Sequence, residues 1–392
     1  MKQKNKIILI LLVWIGFSLS AQESLDSLLS KVEQNNPVLI NAGHLLEARK
    51  LEASTGLTPP NPEVEYGYMW GTPDVIGNRT DFAVSQSFDF PTVYSSQNKL
   101  SDITKEQAQL QFEATRQEVI LKARQAWILQ VHLNKVRSIL ERRLSYAETV
   151  LQSYERKLET GESNQLQLNQ SRMKVVALKN EISRLEQRFT ENNARLMNLT
   201  GNIPVTINDT VWPLQMALNP DTLLSDYESG YLNQIYQTEV DRKSKEVDVV
   251  FNKKLPKLSA GYYSESVVGE KFQGVQAGIS IPLWENARAV KTAKAKVIYA
   301  QSDAERFWQE KENEIRQKYD QLLMLQDRVK DMEQVLSESN DEALLRQAME
   351  AGEITLTDYY YESDFYYQTL VSLLEFRKDL LLLEAELRKV YY

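Results

Sequence analysis

The side chains that most often carry out catalysis are few in this sequence and lie far apart. The chain of 392 residues has two histidines, His44 and His132, and no cysteine. Neither histidine belongs to a catalytic motif, and no Gly-x-Ser-x-Gly sequence, phosphate-binding loop or dinucleotide fingerprint occurs. Carboxylates cluster only in charge-rich stretches of helical period, where solvation explains them. The sequence therefore predicts no enzyme, no catalytic residue, no metal site and no cofactor.

Charge and hydropathy exclude two further classes of protein. The formal net charge is −8, charged residues make up 26% of the chain and the mean hydropathy is −0.44. No basic stripe is present to contact phosphates, which argues against a nucleic-acid partner. Lys and Arg alternate with Glu and Gln, as on solvated helix faces, so a bundle of membrane helices is not expected either.

The N-terminus has the three parts of a secretory signal. Three lysines precede an apolar run from Ile7 to Leu19, and small residues follow it up to Ala21. The apolar run is shorter than the roughly 20 residues that a spanning helix needs. We therefore expect residues 1–21 to be a signal peptide, cleaved after Ser20 or Ala21, and the mature chain to leave the cytoplasm.

One short sequence motif occurs twice, and the other elements of the chain are arranged around its two copies. Gly161-Glu162-Ser163 and Gly352-Glu353 each interrupt a long stretch of helical period that has no other glycine nearby. Glycine takes the left-handed conformation that ends a helix, and the Glu after it suits the positive end of the next helix. The two glycines are 191 residues apart, as are Pro91 and Pro282. The pattern predicts two helical-hairpin tips and a duplicated unit.

Four segments change to a period of two, which indicates β-strands. In each segment, aromatic and branched residues alternate with acidic or small ones, and the lengths suit strands that cross a bilayer at a tilt. An ordinary amphipathic hairpin on a protein core is the other interpretation. The residues predicted to face lipid are Val64, Tyr66, Tyr68, Trp70, Phe82, Val84, Phe88, Phe90, Leu258, Tyr262, Val275, Ile279 and Ile281.

These patterns predict a mostly α-helical chain with a small β part. Repeat 1 covers residues 22–200, with a helix at 24–56, a β-hairpin at 63–91, a long helix at 93–160 and a helix at 163–200. A linker at 201–221, with weak strand signals at Val205, Ile207 and Val211, joins the repeats. Repeat 2 covers residues 222–392, with a helix at 222–252, a β-hairpin at 257–282, a long helix at 286–351 and a helix at 353–391.

Four strands from one chain are too few to close a barrel, and lipid does not tolerate an open sheet edge. If the strands cross a membrane, several copies must therefore share one barrel. Two copies would give eight strands and three would give twelve. The helices that continue from every strand would then form a tube below this barrel.

The signal peptide, the duplicated layout, the proline-ended strands and the Gly-Glu tips resemble the TolC family of outer-membrane efflux proteins over essentially the whole mature chain. The resemblance implies a homotrimer, with a twelve-stranded barrel in outer-membrane lipid above a periplasmic helical barrel. It also implies a periplasmic adaptor and an inner-membrane pump as partners, with the adaptor docking at the tips. The docking residues would be Gly161, Glu162, Ser163, Gly352, Glu353 and Thr355.

The resemblance also bears on the second tip. Relatives carry two aspartates, six and nine residues after the tip glycine, that ring the periplasmic mouth; here these positions hold Asp358 and Tyr361. A ring of Asp358 would bind cations. Asp358 as an acid serving the helix dipole is the alternative. The tyrosines nearby either pack between helices or, together with Tyr361, form a gate. The acids Glu63, Glu65, Asp81, Asp89 and Glu265 would make the barrel lumen acidic.

Two rival functions stay open at this point. A periplasmic coiled-coil tether would explain the helices but not the aromatic strand faces. A pump adaptor would show one helical hairpin between β-rich halves rather than two repeats. The cargo is open as well: the length and the lack of a C-terminal tail resemble the heavy-metal branch of the family, and drugs, dyes or secreted proteins are alternatives.

Overall fold

Long helices and one small antiparallel sheet make up the structure, a computed structural model that describes residues 24–73, 76–212, 218–282, 284, 288–338 and 341–392. The predicted signal peptide, residues 1–21, lies outside the described residues. None of the described helices is long and apolar enough to cross a membrane.

The described residues of the first half form four helices and two strands. Their bounds are α1 at 24–35, α2 at Pro37–Ala53, β1 at Glu63–Met69, β2 at Arg79–Phe88, α3 at Pro91–Glu159 and α4 at Gln165–Leu199. The predicted helix 24–56 is thus two helices that meet at Asn36. The side-chain Oδ1 of Asn36 accepts hydrogen bonds from the N–H groups of Val38 and Leu39 and caps α2, whose first residue is Pro37.

The described residues of the second half repeat this order. Its elements are α5 at Pro220–Glu228, α6 at Tyr231–Asn252, β3 at Lys257–Val267, β4 at Glu270–Ser280, α7 at Ala289–Glu338, α8 at Asp341–Ala351 and α9 at Leu356–Leu387, followed by a 3₁₀ turn at Arg388–Tyr391. The predicted helix 222–252 is interrupted at Ser229 and Gly230. There the Asn233 amide donates to the Glu228 carbonyl at 2.7 Å, which ends α5. Residues 339–340, between α7 and α8, lie outside the described residues.

The four strands form one sheet in the order β1-β2-β3-β4, with every pair antiparallel. The pairing of β2 with β3 joins the hairpins of the two repeats. Within this sheet β1 and β4 are the outer strands, so one edge of each has no partner among the residues that the structure describes.

The chain divides into two compact units. Unit 1 contains residues up to Asn41, Thr115–Asp226 and Glu312–Tyr392, and unit 2 contains Ala42–Ala114 and Tyr227–Lys311. In unit 1, apolar stripes of α1, α3, α4 and α9 pack into two clusters, one around Trp127 and one around Leu178, which are 2% and 1% exposed. Burying such side chains at helical spacing is what holds long amphipathic helices together.

A junction in unit 1 joins the end of α4 to the start of α2. The Asn36 amide donates to the Leu199 carbonyl at 2.8 Å. Gly201 has φ +65°, and a Cβ there would lie 2.4 Å from the Asn35 carbonyl oxygen, so no larger residue fits. The short helices of repeat 1 therefore meet beside the start of the linker.

The linker forms no strand in its described residues, 201–212 and 218–221, contrary to the strand signals at Val205, Ile207 and Val211. The reason is that a side chain on α3 donates hydrogen bonds to backbone carbonyls of the linker. The Asn134 amide donates to the carbonyls of Ile207 and Asp209, both at 2.9 Å, and the Trp212 indole lies under the Lys135 ammonium at 4.3 Å.

Unit 2 holds the sheet and the helical segments that continue from its strands. Its helices bury small side chains, such as Ala293, Ala300 and Ala304, which allow close approach. Tyr236 on α6 stacks on Phe307 on α7 at 4.0 Å between ring centroids. Within this unit, residues 70–73 and 76–78 lie at the ends of β1 and β2 that face away from the helices.

Candidate functional site

The first tip, at the end of α3, is a Schellman motif. Gly161 has φ +79°, its N–H donates to the Leu158 carbonyl at 3.2 Å, and the Glu162 N–H donates to the Lys157 carbonyl at 2.8 Å. Asn164 then caps α4 in a capping box with Gln167. The predicted hairpin turn therefore consists of two successive motifs within seven residues, a Schellman motif that ends α3 and a capping box that begins α4.

The second tip repeats this geometry 191 residues later. Gly352 has φ +77°, its N–H donates to the Met349 carbonyl at 3.1 Å, and the Glu353 N–H donates to the Ala348 carbonyl at 2.8 Å. Thr355 caps α9 in a capping box with Asp358. No atom outside the local chain lies within 4 Å of a Cβ built on either glycine, so only the backbone conformation demands glycine at the tips.

The acids at the tips differ from the sequence prediction. Glu162 and Glu353 are exposed and precede the helix caps, so they do not lie in the first turn of α4 or α9. The first turn of α9 contains Asp358 instead. Ser163 donates to the Gln167 side chain at 2.9 Å, which commits it to the local turn.

Asp358 serves the helix end directly. Its Oδ2 accepts hydrogen bonds from the Thr355 hydroxyl at 2.6 Å and the Thr355 N–H at 3.1 Å. These bonds hold the pKa of the Asp358 carboxyl below its ordinary value. The carboxyl is exposed and stays ionised at neutral pH. The single chain therefore shows the capping role, and a charged ring of several copies stays a prediction.

The tyrosines after the second tip separate into buried and exposed sets. Tyr359 and Tyr367 are 4% and 6% exposed, and the Tyr359 ring contacts Tyr146 of α3 edge-on at 5.7 Å. These two pack between helices, as one prediction had it. Tyr361 is 73% exposed and Phe365, one turn further along α9, is 67% exposed. Exposed aromatic side chains in adjacent turns mark a surface that another molecule can cover.

A charged network that the sequence did not suggest lies beside these aromatics. Asp364 on α9 accepts a hydrogen bond from Arg143 on α3 at 2.6 Å and another from Lys174 on α4. The Arg143 guanidinium also lies over the Tyr367 ring at 4.4 Å. The three helices are thus joined at one carboxylate, on the wall of an open groove of about 790 Å³ between α4 and α9.

In unit 2, the register of the sheet gathers the predicted apolar residues on one face. One row across the sheet contains Val64, Val84, Tyr262 and Val275, and another contains Phe88, Leu258 and Ile279. Tyr66 pairs with Phe82 on the same face. The exposed fraction reaches 93% at Val275, 69% at Tyr66 and 61% at Ile279. We call this set the apolar strand face.

Three residues predicted for this face lie just outside the strands. β1 ends at Met69, before Trp70; β2 ends at Phe88, before Phe90; and β4 ends at Ser280, before Ile281. Trp70 is 78% exposed and its ring contacts the Tyr68 ring edge-on at 5.4 Å. These three side chains flank the apolar strand face at its two ends.

The opposite face of the sheet is less acidic than the alternation alone suggested. Asp81 and Glu265 stand directly opposite each other on β2 and β3, and the Arg79 Nε lies 2.9 Å from Asp81 Oδ1 and 3.1 Å from Glu265 Oε1. Asp89, beyond the end of β2, lies 3.8 Å from the Lys257 ammonium. Two cations thus face three of the five carboxylates, which lowers the negative charge of this face, and an acidic barrel lumen stays a prediction.

The sequence of residues 28–202 matches the family model "Outer membrane efflux protein". This match spans nearly all of repeat 1. No curated protein sequence matches the chain significantly.

Solved structures share the fold over both repeats. The Campylobacter jejuni CmeC outer membrane channel superposes with a TM-score of 0.76 at 16% identity, covering 94% of this chain and 85% of its own. A structure of CusC, described in terms of folding and transmembrane channel formation, gives 0.75 at 15% identity, covering 94% and 92%. The open state of the Neisseria gonorrhoeae MtrE outer membrane channel gives 0.68 at 13% identity, covering 94% and 88%.

The family match and the fold agree with each other and with the features that the sequence repeats. The matched segment ends at residue 202, beside the junction of α4 with α2. The second half contains a helical tip with the same backbone hydrogen bonds as the first, so it repeats the arrangement of the matched segment. A family of transport proteins also agrees with the expectation that the chain is not an enzyme. Residues 28–202 therefore match the outer membrane efflux protein family, and the chain resembles the solved outer-membrane channels in its fold over both repeats.

Proposed function

We propose that this protein is the outer-membrane channel of a tripartite efflux system, working as a homotrimer. The observation that carries the proposal is the apolar strand face, which is exposed along its length in the single chain. A contiguous apolar surface of this kind marks a membrane or protein contact. Three of its four strands have ten or eleven residues, within the roughly 9–11 that cross a bilayer when tilted, and β1 has seven.

The two outer strands supply the reason for a shared barrel. The free edges of β1 and β4 carry unpaired backbone N–H and C=O groups, which are costly in lipid. If β1 of one copy pairs with β4 of the next, every edge is satisfied and the sheet closes. Three copies then give twelve strands, an even number within the range of outer-membrane barrels.

The helical tips are the surface through which we propose that the channel meets its adaptor. Gly161, Glu162, Gly352 and Glu353 are exposed at the ends of two hairpins that share one backbone geometry. Two equivalent tips per chain would give six similar docking points in a trimer. The periplasmic adaptor would bind there and join the channel to an inner-membrane pump, so that cargo passes from the pump to the outside.

A matched pair of substitutions tests the membrane assignment. Val275, at the centre of β4, belongs to the apolar strand face, and the next residue, Gln276, points to the opposite face. Placing Lys on the lipid face at mid-membrane costs about 2–4 kcal/mol, whereas a lumen-facing Lys costs little. We expect Val275→Lys to reduce trimers in the outer-membrane fraction severely and Gln276→Lys to leave them near the wild-type amount.

The comparison is made by fractionating membranes and resolving unheated samples by electrophoresis. Equal amounts of trimer for the two variants would mean that the apolar strand face does not contact lipid. The same result together with a soluble periplasmic product would favour a tether without a pore.

A further inference from the structure

Four side chains form a compact charged cluster on the polar face of the sheet. Arg79 Nε contacts both Asp81 and Glu265, and Arg79 Nη2 donates to the Tyr263 hydroxyl at 3.0 Å. The Tyr263 hydroxyl in turn donates to Asp81 Oδ1 at 3.1 Å. Two carboxylates directly opposite each other on neighbouring strands repel, so the single guanidinium between them is what allows this arrangement.

The position of the cluster in the sheet is defined by the strand ends. Arg79 is the first residue of β2 and pairs with Val267, the last residue of β3. Arg79 follows residues 76–78 and Val267 precedes Val268 and Gly269, so both lie at the end of the sheet remote from the helices that continue from the strands. In the proposed barrel this end is the outer mouth, and the cluster's face, opposite the apolar strand face, is the lumen.

We propose that this cluster is the selectivity ring of the outer mouth and that Arg79 sets its charge. The inference rests on the proposed function, because only a closed barrel places the three copies of the cluster around one pore. One guanidinium and two carboxylates leave one net negative charge per cluster, and Glu270, in the row of Arg79 on the same face, brings the total to two per chain, hence six around the ring. The hydrogen bonds fix the charges in place, and fixed rings of charge decide which ions enter a pore.

The proposal predicts that removing the positive charge and removing the negative charges of the cluster change the ion selectivity in opposite directions. Arg79→Gln removes the one cation and raises the ring from six negative charges to nine, so the ratio of cation to anion permeability should rise by about 1.5-fold or more. Asp81→Asn combined with Glu265→Gln leaves Arg79 and Glu270 to cancel each other, and the same ratio should fall below its wild-type value.

Lys271 provides a matched control. It lies on β4 in the row that contains Thr80 and Ser266, next to the row of Arg79, but its side chain belongs to the opposite face of the sheet. Lys271→Gln removes one positive charge at the same height outside the proposed lumen, and it should leave the permeability ratio unchanged.

The experiment measures reversal potentials of the full-length protein in planar lipid bilayers across a potassium chloride gradient. Opposite shifts for the Arg79 variant and the double carboxylate variant, with none for Lys271→Gln, support the ring. Unchanged potentials in both cluster variants, or equal shifts for Arg79→Gln and Lys271→Gln, overturn it. If Arg79→Gln does not assemble, the double variant alone decides by the direction of its shift. No current from the wild-type protein would count against the channel itself, an outcome distinct from a current with unaltered selectivity.

Discussion

Replacing Gly352 with valine tests whether the backbone geometry of the second tip is needed for export. Gly352 has φ +77°, and no atom outside the local chain would meet an added Cβ within 4 Å. The substitution therefore adds no clash with another helix, and its cost is the left-handed backbone alone. That cost is roughly 1–2 kcal/mol for an ordinary L-residue, and a β-branched side chain lies at the upper end.

An energy of this size changes the conformation of the tip more than it changes the stability of the whole fold. A change of about 1–2 kcal/mol lowers the population of the Schellman turn by roughly 5–30-fold relative to alternatives. The Glu353 N–H then loses its bond to the Ala348 carbonyl, and the direction in which α9 leaves the turn is no longer fixed. We expect Gly352→Val to insert as a trimer in the outer membrane but to lose most of its export.

Two further variants isolate the cause. Gly352→Asn should export nearly as well as wild type, because asparagine tolerates the left-handed conformation. Gly56 has φ +71° and equally open space but follows α2 in unit 2, whereas both tips belong to unit 1, so Gly56→Val carries the same strain and should not affect export.

The assay is the growth of cells, with each variant as the only copy, against a fixed panel of dyes, drugs and metal ions, with trimer amounts measured in parallel. Wild-type resistance in cells carrying Gly352→Val would refute the reasoning. So would equal losses for Gly352→Val and Gly352→Asn, or for Gly352→Val and Gly56→Val.

Two further predictions concern ionised carboxylates in unit 1. Asp358→Asn, which keeps an acceptor for Thr355, and Asp358→Ala should both weaken the block of channel current by divalent cations; unchanged block in both would remove Asp358 from the conduction path. The lowered pKa of Asp358 further predicts that the wild-type block is constant between about pH 5 and 8. The pKa of Glu375 lies below its ordinary value, chiefly because His132 forms a hydrogen bond with the carboxylate at 3.1 Å. A second hydrogen bond, from Lys378, lowers this pKa further. The resulting stabilisation is present above the ordinary carboxyl pKa and is lost as pH falls below it. Glu375→Gln should therefore lower the melting temperature at pH 7, and this deficit should shrink towards about pH 3, whereas the exposed Glu191→Gln should show no deficit; a deficit independent of pH would contradict the assigned pairing.

The features that sequence could predict are those set by local backbone rules. A Schellman turn requires a left-handed residue, so Gly161 and Gly352 marked both tips. Strand alternation has a period of two, which placed Val84, Tyr262 and Val275 on one face before their register was known. The capping box of Thr355 and Asp358 is also a local signature, and it could have been read from their spacing of three residues.

The features that sequence missed depend on residues far apart in the chain. Arg79 faces Glu265 only because β2 of repeat 1 pairs with β3 of repeat 2. Arg143 and Asp364 are on different helices, and no periodicity relates them. The linker signals at Val205 and Ile207 failed because the Asn134 side chain on α3 competes for the backbone carbonyls that a strand would use. Tertiary contacts decide such segments, whereas local propensity does not.

The measurement that tests the central claim most directly is the native mass of the protein. Cells expressing the full 45.3 kDa precursor would be fractionated, the outer membrane extracted with detergent, and the mass of the purified complex determined by light scattering with correction for detergent. The shared twelve-stranded barrel predicts three copies of the chain, found in the outer-membrane fraction alone. A monomer or dimer recovered from the soluble periplasm would contradict it.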